Sequence, residues 1–248
     1  MSSYDALAAS YDALTVDVEY RRRADYLTRQ FHRSALPVET VLDLACGTGT
    51  MACLLAERGY RMIAVDGSEE MLTQAAWKAA ALEQPPMFLH QSMPRLHLGM
   101  EVDAAISTLD ALNYLTRTAD LRETLRRVYR WLRPGGLFLF DVNTPYKLRR
   151  MDGQVYLDET EDSYCVWRAV YDRRHSLCRY GMDLFQRLEG DTWERSFEEH
   201  VERAYTPQEL SGWLMDAGFA QVGQFGNLRL APPQPDEMRI FFAAKKGT

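Results

Sequence analysis

VLDLACGTGT, residues 41–50, passes from a short apolar run into two glycines separated by one threonine. Val41, Leu42 and Leu44 give the continuous apolar character of a strand buried on both faces. Gly47 and Gly49 then supply backbone freedom that a side chain would forbid, so something approaches the main chain closely at the end of this strand. Beyond the glycines, Met51, Leu54 and Leu55 share one face of a helix closed by Gly59, and RMIAVD (61–66) is a second apolar run ending on Asp66. Strand, glycine turn, helix and strand form a β-α-β unit, whose strands are parallel because a helical crossover joins them.

The same alternation continues on both sides of this unit. Upstream, Tyr4, Leu7, Ala8, Tyr11 and Leu14 fall at helical spacing, and Tyr20, Ala24, Leu27 and Phe31 predict a second helix before Pro37. Downstream, Glu69 and Glu70 occupy the first turn of a helix with Met71, Leu72, Ala75, Ala76 and Ala79 as its buried stripe. MFLHQS (87–92) and VDAAIST (102–108) read as strands. Leu121, Leu125, Val128 and Leu132 read as a helix ending at a Pro134-Gly135-Gly136 turn, and LFLFDVN (137–143) as a fifth strand. The expected fold is α/β, Rossmann-like, with a doubly wound, mostly parallel seven-stranded sheet. From residue 152 aromatic and β-branched residues alternate with polar turns, which predicts an antiparallel β insertion over 152–205. The helical pattern returns at TPQE (206–209), a capping box with proline at the first helical position, and FAQVGQF (219–225) and MRIFFAAK (238–245) complete the sheet. Residues 1–151, with helices over 1–36, and 206–248 then form one domain around the insertion.

Composition narrows the function. The 248 residues are 46% hydrophobic, enough for a real core, and the formal charge of −6 disfavours a nucleic-acid face, which wants clustered Lys and Arg. The four cysteines show no C-x-x-C pair, and no histidines stand at metal-ligand spacing, so no metal is expected. No apolar stretch is long enough to cross a membrane, and the start lacks a basic region followed by an apolar run, so the expected location is cytoplasmic.

Gly47-Thr48-Gly49-Thr50-Met51-Ala52 satisfies G-x-G-x-x-A, and Asp66 lies near the distance at which an acid meets a ribose hydroxyl. Asp43 discriminates between ligands. A pyrophosphate over this turn would be opposed by that carboxylate, by roughly 1 to 4 kcal/mol at close range, whereas S-adenosylmethionine brings an ammonium and a sulfonium instead. The phrases DLACGTG and AVD resemble the first two motifs of class I S-adenosylmethionine-dependent methyltransferases. With the opening YDAL and DVEY, LDALNYL, RPGGLFLFDVNT and EEHVERAYT, nearly the whole chain is similar to small bacterial methyltransferases with a β-rich insertion after the fifth strand.

By position, the resemblance implies that Asp43 holds the methionine ammonium, that Ala45, Cys46, Gly47 and Gly49 pass under the methionine and ribose, and that Asp66 takes the ribose hydroxyls. It places Gly67, Met71, Ser92 and Met93 around the adenine, Leu109 and Asp110 beside the sulfonium, and Tyr11 and Tyr20 over the cofactor. Ala45 stands where the superfamily often has glycine, and Ser92 where it usually has aspartate. Methyl transfer is an in-line displacement needing alignment rather than a covalent residue. Asp110, Asn113, Tyr114 and His200 are the candidates to orient or deprotonate an acceptor, expected to be a small molecule. Residues 152–205 are expected to roof the acceptor pocket, with Trp193, Phe197, Val201 and Tyr205 on one strand face and Glu198, His200 and Glu202 on the other, in a monomer or homodimer. A nicotinamide-dependent oxidoreductase using the same turn, and a non-catalytic cofactor-binding protein of the same fold, remain alternatives.

Overall fold

A computed structural model describes residues 18–188 and 190–248. The expected helix over Tyr4–Leu14, with Tyr11, lies outside the described residues. Helix α1 (Tyr20–His32) leads to β1 (Thr40–Leu44), buried at every position, then α2 (Thr50–Ala56), β2 (Arg61–Asp66), α3 (Glu69–Ala79), β3 (Met87–His90) and β4 (Val102–Ser107). Helix α4 (Thr118–Trp131), β5 (Leu132–Asn143) and the short α5 (Pro145–Arg150) follow. After an inserted sheet, α6 (Pro207–Ala217), with β10 (Phe219–Gly226) and β11 (Arg239–Lys246), closes the chain.

The main sheet has seven strands in the order β10-β11-β5-β4-β1-β2-β3, with β11 antiparallel to both of its neighbours. The order reverses direction at β1 and β4, so the carboxyl ends of these two strands diverge around a crevice, the usual ligand position in open α/β sheets. Two apolar layers cover the sheet. Leu42, Leu44 and Phe140 pack with α4 and α6, while Val41, Ala104 and Leu139 pack with α1 and α2. The capping expected at Thr206 is present: its hydroxyl accepts from Glu209 N, and the Glu209 carboxylate accepts from Thr206 N.

Two details differ from the sequence reading. Pro134-Gly135-Gly136 does not end the helix in a free turn. It is a bulge inside β5, where the pairing with β4 jumps from Leu132 to Leu137 and Gly135 takes a φ of 77°. The insertion is four-stranded, because β6 (Val155–Glu159) precedes the three strands legible in the sequence, β7 (Ser163–Asp172), β8 (Leu177–Arg187) and β9 (Trp193–Arg203). All pairings are antiparallel.

The apolar face expected to pack along β9 does so only just beyond its end, where Tyr205 is buried. Trp193 and Phe197 are exposed, whereas His200 and Glu202 are buried. The neighbouring strand decides this: His200 and Glu202 pair with Tyr180 and Cys178 of β8, which pack with Leu148 of α5 against the domain. The opposite face carries Asp183, ion-paired to Arg168 and Arg195.

The two glycines of the turn do different work. A Cβ on Gly47, at φ 54°, would meet nothing within 4 Å, whereas one on Gly49, at φ 73°, would lie 2.8 Å from the Ala75 Cβ. Gly49→Ala is therefore expected to lower stability by about 2–4 kcal/mol, from left-handed strain plus overpacking, and Gly47→Ala by about 1–2 kcal/mol, from strain alone. Urea unfolding of the two variants checks this, and equal losses would contradict the division of labour.

Candidate active site

A cavity of about 420 Å³ opens at the carboxyl ends of the central strands. Its floor is the turn after β1: Ala45 has φ 62°, left-handed for a residue with a side chain, and Gly47 follows in the same region. Lys78 Nζ reaches from α3 to donate to Thr48 and Thr50, tying the turn to the next crossover. Asp66 closes the far side. Its Oδ2 accepts from Gly47 N at 2.8 Å and its Oδ1 from Ser68 N at 2.9 Å, which bind the end of β2 to the turn. Each oxygen keeps a lone pair toward the cavity that Asp66 lines. Burial raises its pKa, although these backbone donors work against the rise.

Asp43 ends up at the last turn of β1, two residues before this floor, 1% exposed, and neither carboxylate oxygen has a hydrogen-bond partner among the described residues. Burial, with Asp66 nearby, pushes its pKa up to about 7. A buried carboxylate without a donor calls for a cation, so the residue fits an ammonium delivered by a ligand. Cys46 in the same turn is no nucleophile, since burial and Asp43 hold its thiol well above the usual range.

Of the residues predicted to hold a cofactor, Tyr20, Ala45, Cys46, Gly47, Asp66, Gly67, Met71, Ser92, Met93 and Leu109 line this cavity. Gly49 does not, since it serves the packing of α3, and Asp43 lies beneath the lining rather than in it. Asp110 does not either. Leu109 and Asp110 both take positive φ, 58° and 56°, so consecutive side chains diverge: Leu109 faces the first cavity and Asp110 a second one. The turn is braced from two directions, by Leu109 N donating to Asp141 Oδ1 and by Arg239 bridging the Asp110 and Asp141 carboxylates.

The second cavity, about 290 Å³, lies between the end of β5, α5 and the inner face of the inserted sheet. Tyr114 lines both cavities, which adjoin at its ring. At its base the Asn143 carboxamide joins two charges: Oδ1 accepts from Lys147 Nζ at 2.9 Å and Nδ2 donates to Glu202 at 2.8 Å.

Two expected acceptor-handling residues are placed elsewhere. Asn113 is fully buried, its Nδ2 donating to the carbonyls of Asn143 and Arg203 and its Oδ1 accepting from Asn143 N, so it straps β5 to β9. His200 lines neither cavity; it is buried, hydrogen-bonded to Glu198 at 3.0 Å and packed near the rings of Tyr114 and Trp167. The sequence reading missed Glu199 and Val201, which β9 turns toward the first cavity, and the base of the second. The alternation of polar residues along β9 carried a signal, but it could not rank Glu202 above His200.

A profile of a methyltransferase domain matches residues 41–136. The chain is 31% identical over 245 residues to a Bacillus subtilis protein named "Putative methyltransferase YqeM", covering 98% of this chain and 97% of that one. It is 33% identical over 208 residues to glycine/sarcosine N-methyltransferase of Aphanothece halophytica, covering 83% and 76%. A crystal structure of an S-adenosylmethionine-dependent methyltransferase from Clostridium acetobutylicum superposes with a TM-score of 0.89 at 27% identity, covering 99% of each chain.

The raised pKa of Asp43 sets a pH dependence. Unfolded, the carboxyl loses its proton near 3.8; folded, near 7. Between these values the folded state holds more protons, so this residue's contribution to stability falls as pH rises through the window and stays reduced above it. Asp43→Asn is expected to gain melting temperature relative to the unsubstituted chain as pH is raised from about 5 to about 8 without ligand. A difference independent of pH, by scanning calorimetry, would show that Asp43 is not held in this state.

Proposed function

The chain belongs to the class I S-adenosylmethionine-dependent methyltransferases, and on that premise we propose that it transfers a methyl group to a small-molecule acceptor, with the first cavity holding the cofactor. The carrying observation is Asp43, a buried carboxylate beside that cavity with no hydrogen-bond donor among the described residues. Bound S-adenosylmethionine supplies an electrophilic methyl group on a sulfonium. The chain's own residues align and enclose. Asp43 takes the ammonium, Asp66 accepts from the ribose hydroxyls with its remaining lone pairs, and Gly47 keeps the floor open. Met71, Ser92 and Met93 border the adenine.

The acceptor lies on the other side of Tyr114, under the inserted sheet, so that residues 152–205 act as a roof rather than an ornament. Two concave cavities of this size suit a small molecule better than a macromolecule. The name of the Aphanothece relative, which gives glycine and sarcosine, points the same way. Asp110 acts through the turn it braces. Paired with Arg239 and facing Lys147, its carboxyl is held below the usual range despite burial, which suits an anion fixed in place better than a base.

Calorimetry with S-adenosylhomocysteine tests the cofactor reading. Gly47→Val is expected to abolish binding by filling the floor, and Asp66→Ala to weaken it by about 1.5–3 kcal/mol, the worth of hydrogen bonds to a charged group. Unchanged affinity in both variants would sink the assignment. For the acceptor side, Tyr114→Ala is expected to keep S-adenosylhomocysteine affinity within about threefold, since the aromatic ring is only one part of the first cavity's wall, but to cut homocysteine release with small-molecule acceptors by at least about 100-fold. Parallel losses would place Tyr114 with the cofactor instead.

A further inference from the structure

We propose that the second cavity is an acceptor chamber for an amine, with Glu202 as the group that receives the amine's proton. The inference rests on the methyltransferase reading and adds the acceptor's chemical class.

The charged side chains that face this chamber are Asp110, Asp158 and Glu202 against Lys147. Asp110 is already matched by Arg239, behind it. Lys147 is turned onto the Asn143 carbonyl oxygen. Glu202 is 4% exposed and accepts from Asn143 Nδ2, a neutral donor. Burial, with Asp110 nearby, pushes its pKa up to about 8. A carboxyl in this position is stable as an acid in the empty chamber and becomes an anion when a cation is brought to it. The walls are aromatic: Tyr114, Tyr156, Trp167 and Tyr180 surround the same space. Ring faces attract a desolvated ammonium and offer nothing to an anionic acceptor.

The proton balance closes on these residues. As an ammonium enters, Glu202 gives up its resting proton to solvent; the ammonium then passes one proton to that carboxylate, leaving a neutral amine and a carboxylic acid. The freed lone pair forms the nitrogen–carbon bond while the carbon–sulfur bond breaks, its electron pair remaining on sulfur. The product leaves as a methylated ammonium, and Glu202 remains the acid it was in the empty chamber, the one net proton having passed to solvent as the amine entered. Asn143 is a positioning residue here, because its donated hydrogen bond fixes which way the Glu202 carboxyl points.

A matched series of probes on the full chain saturated with S-adenosylhomocysteine decides the charge preference: 2-phenylethylamine, 2-phenylethanol and phenylacetate, with affinities read by ligand-observed NMR. The amine is expected to bind roughly tenfold or more tightly than the alcohol, and phenylacetate weakest. Glu202→Gln, which keeps an oxygen to accept from Asn143, is expected to remove the difference between amine and alcohol. Asp158→Asn, at an exposed position of the edge strand where folding is not at stake, is expected to narrow it. An alcohol or phenylacetate affinity equal to the amine's, or a preference unchanged in both variants, would overturn the proposal. A chain that failed to bind S-adenosylhomocysteine would instead overturn the reading beneath it.

Discussion

Asp43 places a carboxylate at the carboxyl end of the central strand, out of water and without a hydrogen bond among the described residues. Holding it ionised at neutral pH costs on the order of 4 kcal/mol relative to the unfolded chain, a large fraction of a domain's net stability. Among the described residues none donates to it to offset that cost. Lys78, the cation of the next crossover, is spent on Thr48 and Thr50, and Asp66 adds repulsion. Without a ligand the group rests as a neutral acid; a cation would ionise it, and the left-handed Ala45 and open Gly47 leave space beside it.

From this point the rest of the molecule sorts into two compartments. The first follows the fold: strand ends, glycine turn and the Asp66 carboxylate. The second exists because the chain leaves β5 into α5 and an inserted sheet, whose inner face it turns back over Asn143 and Lys147. Where they adjoin stand one turn, Leu109–Asp110, and one ring, Tyr114. That turn carries two successive positive φ values and stays in place through Asp141 and Arg239. The ion pair of Arg239 with Asp110 and Asp141 holds that turn from behind.

The first compartment was largely legible in the sequence because local rules fix it. A buried apolar run, a glycine turn, a helix stripe and Asp66 follow in one β-α-β unit, and each is decided by its neighbours in sequence. The capping box at Thr206 was legible for the same reason. The second compartment was not. Which face of β9 is buried depends on β8 and α5, so Phe197 was expected to pack and is exposed, while Glu202 became the base of a chamber. Asn113 looked like an acceptor group because it follows β4, yet its amide is consumed by backbone groups 30 and 90 residues away. The bulge at Gly135 is likewise a matter of register with β4, which local turn chemistry does not report.

The central claim is that Asp43 waits, protonated, for a cation. Titration calorimetry of S-adenosylhomocysteine binding in buffers of different ionisation enthalpy counts the protons exchanged. Near pH 6, where the buried carboxyl is still largely an acid and the bound ammonium would ionise it, the count should approach about one proton released, falling toward zero by about pH 8. It should vanish in Asp43→Asn. No proton release at pH 6, or equal release in that variant, would contradict the account.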